Sequence, residues 1–171
     1  MKKNALQKGI NLGGWLSQFK EYDHEHFKTF IKRDDIFRIA EWGFDHIRLP
    51  IDYIVLETDS TPGSYLQSGF DYINACLEWC KSAEIRVILD LHKAPGYSFD
   101  TQNENVFEKD AEMQQRFINL WRAITKEFSS ASLSLLSLPP ALFHWPAIFS
   151  WSGCTTNPRT IPCGFFPRQR P

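Results

Sequence analysis

The sequence predicts an α/β chain built on a parallel sheet. Strand-like runs begin near residues 9, 46 and 86, each is followed by a helical pattern, and the repeat is about 40 residues. Alternation of this kind is expected where parallel strands are joined by helical crossovers. Periodicity alone leaves two architectures open, a doubly wound open sheet or part of a closed barrel.

The first run, Lys8 to Leu12, reads as a short buried strand ending at Gly13 and Gly14. Asp34 or Asp35 caps a helix running through Trp42, with Ile36, Ile39 and Ala40 on one face and Gly43 as terminator. His46 to Leu49 forms the second strand, stopped by Pro50. The next helix runs from Gly69 to Ala83, with Ile73, Cys76, Leu77 and Cys80 as its stripe. Arg86 to His92 is the clearest strand, a nearly continuous apolar run suited to burial on both faces. A third helix covers Lys109 to Phe128, where Met113, Phe117, Leu120, Trp121, Ile124 and Phe128 step by three and four.

Composition divides the chain sharply. All 20 acidic residues and every lysine precede Phe128, while seven of the ten prolines follow it. A natural disordered tail is rich in charge and poor in aromatics. This tail carries Phe143, Trp145, Phe149, Trp151, Phe165 and Phe166 instead. Leu133 to Leu138 is at most a short strand, because the later prolines forbid long helices and central strands. The chain is therefore read as two parts, 1–128 and an irregular Pro/Ser/aromatic-rich tail over 129–171. The tail is expected to be frame-shifted or disordered; a proline-rich arm and an aromatic carbohydrate-binding extension are the competing readings.

The net charge of −1 gives no field that would attract nucleic acid or an anionic membrane. No run of about 18 apolar residues is present, so no membrane span is expected. Met1 to Lys3 are followed by no apolar segment, so no signal peptide is read, and the default location is cytoplasmic. Cys76 and Cys80 share a helical face and read as buried structural thiols, with too few neighbouring ligands for zinc. Asp23 to His26 reads as a solvated loop rather than a metal site. No cofactor, metal or protein partner is expected.

In α/β folds chemistry gathers at the carboxyl ends of strands. Those ends carry Asn11, Arg48, Asp90 and His92. Each alone has a structural reading: a turn hydrogen bond for Asn11, a buried ion pair for Arg48, a satisfied core position for His92. Their recurrence on consecutive strands points to a site. The loops add aromatics suited to pyranose faces: Trp15, Phe19 and Tyr22 after the first strand, Tyr53 after the second, Tyr97 and Phe99 after the third. Gly9, Gly13 and Gly14 have the wrong spacing for a dinucleotide-binding turn.

Several segments together resemble family 5 of the glycoside hydrolases, in the manner of small single-domain bacterial endoglucanases. They are Gly9 to Trp15, Gly43 to Pro50, Phe70 to Ile73, Cys76 to Cys80, Val87 to His92 with Ala94 to Tyr97, and Phe117 to Trp121. The resemblance spans residues 8–128 and implies a partial (β/α)8 TIM barrel holding about the first three βα units. It implies hydrolysis of β-glucosidic bonds with retention, acting on a β-glucan or oligosaccharide. It also implies that Arg48 supports the nucleophile carboxylate and His92 contacts substrate and the catalytic centre, with Asn11 and Trp15 near the cleft and Asp90 as a supporting residue. Lys93 stands where close relatives often carry a second histidine. The family places one catalytic Glu after an Asn at the end of strand four and the other at the end of strand seven. No Asp or Glu follows Glu127, so the chain is expected to be truncated before both and inactive alone. A non-catalytic carbohydrate-binding fragment is the alternative, and a metal-dependent hydrolase using Asp90 and His92 is a third reading.

Overall fold

The computed structural model describes residues 6–98, 106–129 and the backbone of 133–135. The element order is β1 (Gly9–Asn11), α1 (His24–Thr29), α2 (Arg33–Glu41), β2 (His46–Asp52), a 3-10 turn (Tyr53–Val55), α3 (Gln67–Ser82), β3 (Arg86–Lys93), α4 (Ala111–Glu127) and β4 (Leu133–Leu135). The tail beyond residue 135, with Cys154 and Cys163, and the loop residues Phe99 and Glu104 lie outside the described residues.

All strand pairs are parallel, and the sheet order is β1-β2-β3-β4. A doubly wound sheet reverses its strand order at a switch point. Here each strand is added beside the last with no reversal, as in a barrel wall. The fourth strand, short and beside β3, continues the sheet beyond the three strands read from residues 1–128.

Strand pleating divides the side chains. Ile47, Leu49 and Ile51 on β2 sit in register with Val87, Leu89 and Leu91 on β3. They join one core with Ile36 and Ile39 of α2, Ile73, Cys76, Leu77 and Cys80 of α3, and Leu120 and Ile124 of α4. The helices thus cover one face of the sheet. Residues of opposite parity, among them Arg48, Pro50, Asp90 and His92, point to the other face.

Three local expectations are corrected. Pro50 does not stop β2, which runs on to Asp52. Arg48 turns its carbonyl toward β1, accepting from Leu12 N at 2.9 Å, so Pro50, two residues on, turns its missing N–H to the same side. There β1 has already ended at Asn11, and no ladder bond is lost. Asp35 is not the N-cap of α2; that place is Lys32, whose N–H donates to the Asp35 carboxylate at 3.0 Å. His24 to His26 are helical rather than loop, because the Asp23 side chain accepts from Glu25 N at 2.9 Å and starts α1.

Gly43 ends the α2 segment at φ +76°, which a side chain would strain. Gly69 is required for a different reason: a Cβ there would lie 2.1 Å from the Val55 carbonyl oxygen. Gly69→Ala should therefore cost about 1–3 kcal/mol by forcing α3 off the 3-10 turn. An unchanged melting temperature in this variant would show that the close approach is not needed.

The amino ends of the strands are tied by Asp45. Its carboxylate accepts from Gln7 N at 3.0 Å, Lys8 N at 3.2 Å and His46 Nδ1 at 2.6 Å, with Arg86 Nη2 at 3.5 Å. Burial pushes its pKa up, but the hydrogen bonds from His46, Gln7 and Lys8 outweigh this and hold it below the usual carboxylate value. A depressed folded-state pKa contributes stability that is present above the unfolded value and is lost as pH falls through the folded one. Acid melts should therefore lose stability below about pH 4, and Asp45→Asn should flatten that limb. An acid limb identical in wild type and variant would remove Asp45 from the account.

Candidate active site

The pleat that packs odd-numbered residues of β2 and β3 onto the helices delivers Arg48, Asp90 and His92 to the opposite face, and Asn11 is paired directly with Arg48. Arg48 is the hub. Its Nη1 donates to Asn11 Oδ1 at 2.6 Å and its Nη2 to Asp90 Oδ2 at 2.5 Å. The same Nη2 lies 3.1 Å from His92 Nδ1, while Asp90 Oδ2 lies 3.3 Å from that nitrogen. Arg48 and His92 Nδ1 thus both gather on the Asp90 carboxylate. Four of the five residues singled out from sequence therefore meet in one network across three strands.

Trp15 does not join them. It is 1% exposed, its indole N–H donates to the Phe27 carbonyl at 2.7 Å, and its ring stacks on Trp79 at 6.3 Å. Its bulk fills the core rather than the cleft. Of the other loop aromatics, Tyr53 donates its hydroxyl to Asp59 at 2.8 Å, and burial beside that carboxylate pushes its pKa up. Tyr22 is exposed and makes edge contacts with Phe19, His24 and Phe27.

Two further polar clusters lie near the same end of the sheet. Asp52 is buried at the end of β2, where Oδ1 accepts from Ser17 Oγ at 2.6 Å and Oδ2 from Gln18 N at 3.1 Å. Lys93 Nζ lies 3.5 Å from the same carboxylate. Asp52 N also donates to Leu16 O at 2.9 Å, so this one residue anchors the loop after β1, including Gln18 in its left-handed conformation. In the loop after β2, Glu57 is 1% exposed and Oε1 receives Arg116 Nε at 2.9 Å and Nη2 at 2.6 Å. Arg116 also reaches Asp59 at 3.1 Å, and Glu57 Oε2 accepts from Gly63 N at 3.0 Å. Neither Asp52 nor the Arg116–Glu57 pair was singled out from sequence. Arg116 carried a signal all the same, being a charge on the apolar stripe of α4 at helical spacing from Leu120 and Ile124.

Among the described residues no three His, Cys, Asp or Glu side chains are grouped to hold a metal ion. Cys76 and Cys80 are buried and unbridged in α3, and the Cys76 thiol is pushed up by its hydrogen bond with Cys80 and by burial. Among the described residues, too, no helix is long and apolar enough to cross a membrane.

Residues 5–136 match the sequence profile of the cellulases of glycosyl hydrolase family 5. Endoglucanase C of Acetivibrio thermocellus is 46% identical over 124 residues, covering 72% of this chain and 36% of that protein. Cellodextrinase A of Ruminococcus flavefaciens is 41% identical over 129 residues, covering 75% of this chain and 38% of that one. The chain thus spans less than two-fifths of these relatives' length. Among solved structures, Thermotoga maritima Cel5A in complex with mannotriose superposes with a TM-score of 0.59 at 23% identity, over 77% of this chain and 39% of that one. A glycoside hydrolase crystal structure reaches a TM-score of 0.61 at 25% identity, over 78% and 42%. These neighbours share the fold, and the sequential parallel sheet is a segment of a (β/α)8 barrel. By its sequence and its architecture alike, the chain belongs to the cellulases of glycosyl hydrolase family 5.

Proposed function

We propose that residues 5–136 supply the first part of the substrate cleft of a retaining β-glucan endohydrolase, and that the 171-residue chain does not turn over substrate by itself. The Arg48 hub bridging Asn11, Asp90 and His92 at the strand ends carries this reading. Retaining hydrolysis needs a nucleophile and an acid/base carboxyl about 5–5.5 Å apart. The carboxylates at this end of the sheet are engaged: Asp90 with Arg48, Asp52 with Ser17 and Gln18, Glu57 with Arg116 and Gly63. Glu127 is the last acidic residue, so neither catalytic glutamate is present.

In the working centre Arg48 would donate to the nucleophile carboxylate and hold it ionised, since a guanidinium stays charged at any working pH. His92 would contact the substrate or that carboxylate. Asp90 fixes the plane of Arg48 and offsets its charge. The abrupt change of composition after Glu127 is read as a disrupted reading frame. Translating the other two frames of the encoding DNA from codon 120 checks this directly, and the absence of an Asn-Glu pair and a later Glu in both would discard it. The alternative, a non-catalytic carbohydrate-binding fragment, draws on the exposed ring of Tyr22.

The test is a chimera in which the part of endoglucanase C that lies beyond the matched region follows residue 136. It should release reducing ends from a soluble β-glucan, and Arg48→Ala in it should lower kcat/KM by about 10²–10³. A folded chimera without activity, or one indifferent to Arg48→Ala, would sink the proposal.

A further inference from the structure

We propose that Gln18 is a substrate-binding residue, held in a left-handed backbone so that its carboxamide meets sugar hydroxyls of a β-glucan chain at the carboxyl end of β2. The proposal deepens the reading of this end of the sheet as a glucan cleft and rests on it. Two described residues other than glycine have positive φ, Gln18 at +58° and Glu84 at +56°. Glu84 follows the last turn of α3, where its N–H donates to Lys81 O at 3.2 Å and Ile85 N donates to Cys80 O at 2.8 Å. Ending that helix accounts for its conformation. Gln18 ends no helix; it lies in the loop between β1 and α1. A side chain in this conformation costs free energy, and such a cost persists where the surroundings over-determine it, above all at ligand sites.

The surroundings of Gln18 do over-determine it. Ser17 is fully buried; its Oγ donates to Asp52 Oδ1 at 2.6 Å and its carbonyl accepts from Gly14 N at 3.0 Å. Gln18 N donates to Asp52 Oδ2 at 3.1 Å, and Lys93 Nζ stands 3.5 Å from the same oxygen. Between Ile51 and Asp52 the register with β3 slips, so Asp52 pairs with Lys93 and not with His92. Bulges of this kind re-aim side chains beside active sites. Ser17 and Asp52 are buried, whereas Gln18, the residue they fix, is exposed. Asp52 stands four residues past Arg48 on β2, toward the strand end where barrel ligands bind. A carboxamide donates and accepts at once, which matches neighbouring hydroxyls on a neutral pyranose. It also enters such a contact without the desolvation cost of a charged group.

The full 171-residue chain is run on native gels with and without soluble mixed-linkage β-glucan, and is melted in buffer. The glucan should retard the wild type. Gln18→Gly suits a left-handed φ and removes the amide. It should raise the melting temperature by about 2–5 °C and weaken the retardation about five- to tenfold. Gln18→Asn tolerates the same φ and keeps an amide, so it should keep the higher melting temperature and recover part of the binding. A merely structural role would not move stability and binding in opposite directions. No retardation of the wild type, a melting temperature that does not rise in Gln18→Gly, or binding that ignores both variants would overturn the proposal. Turnover is not read: a chain that binds as expected, beside a chimera that does not hydrolyse glucan, upholds Gln18 and counts against the proposed function alone.

Discussion

Arg116→Ala is expected to lower the stability of the folded part by about 3–5 kcal/mol, because it leaves a buried carboxylate without its counter-charge. Glu57 is 1% exposed, and both Arg116 hydrogen bonds to it end on the same oxygen, Oε1. The pair joins the loop after β2 to α4, a link that Arg116 extends to Asp59 at 3.1 Å. Burial alone would lower the Arg116 pKa, yet its bonds to Glu57 and Asp59 raise it above its ordinary value, so the guanidinium stays charged. Domains are marginally stable, typically by about 5–15 kcal/mol. Denaturant melts of the variant should therefore show a folded fraction already reduced in buffer. Replacing both members by apolar residues, Glu57→Leu with Arg116→Met, should recover much of the loss, since the cost lies in the unpaired charge rather than in the missing pair. If the single variant melts like wild type, the pair is solvated in solution and the clamp is not structural.

Much of the fold was legible because it is written in periodicity. The stripe of α3, the apolar run of β3 and the stripe of α4 each appear within a few residues of their predicted bounds. Pro50 misled because the residue type argues against a strand in general, while its effect depends on whether a neighbour stands on the side its nitrogen faces. Asn11, Arg48, Asp90 and His92 were recoverable because polar residues at the ends of apolar strands must be paired or used. Asp52 was hidden by the same misreading, since a strand ending at Leu49 left it in a loop. Trp15 shows the opposite failure: an aromatic beside a glycine turn looks like a sugar platform, and only the three-dimensional packing on Trp79 and Phe27 reveals it as core. The Glu57–Arg116 pair spans 59 positions, and no local pattern links residues so far apart.

The second large effect concerns turnover. In an intact relative one carboxyl group attacks the anomeric carbon and another protonates the leaving oxygen. In the proposed centre Arg48, His92 and Asn11 would position and polarise, and none of them would replace either step. Loss of a nucleophile with its acid/base partner removes several orders of magnitude in rate. Asp90 is the nearest local substitute, and its Oδ2 is held by Arg48 while resting beside His92. Moving it into attack would break the ion pair that defines the site. The direct measurement is reducing-end release from a soluble mixed-linkage β-glucan by the 171-residue chain, beside endoglucanase C at equal concentration. The account predicts a rate about 10⁴-fold or more below the relative, indistinguishable from buffer. Measurable turnover that disappears in Asp90→Asn would contradict it, showing that a carboxylate within the described site performs the chemistry.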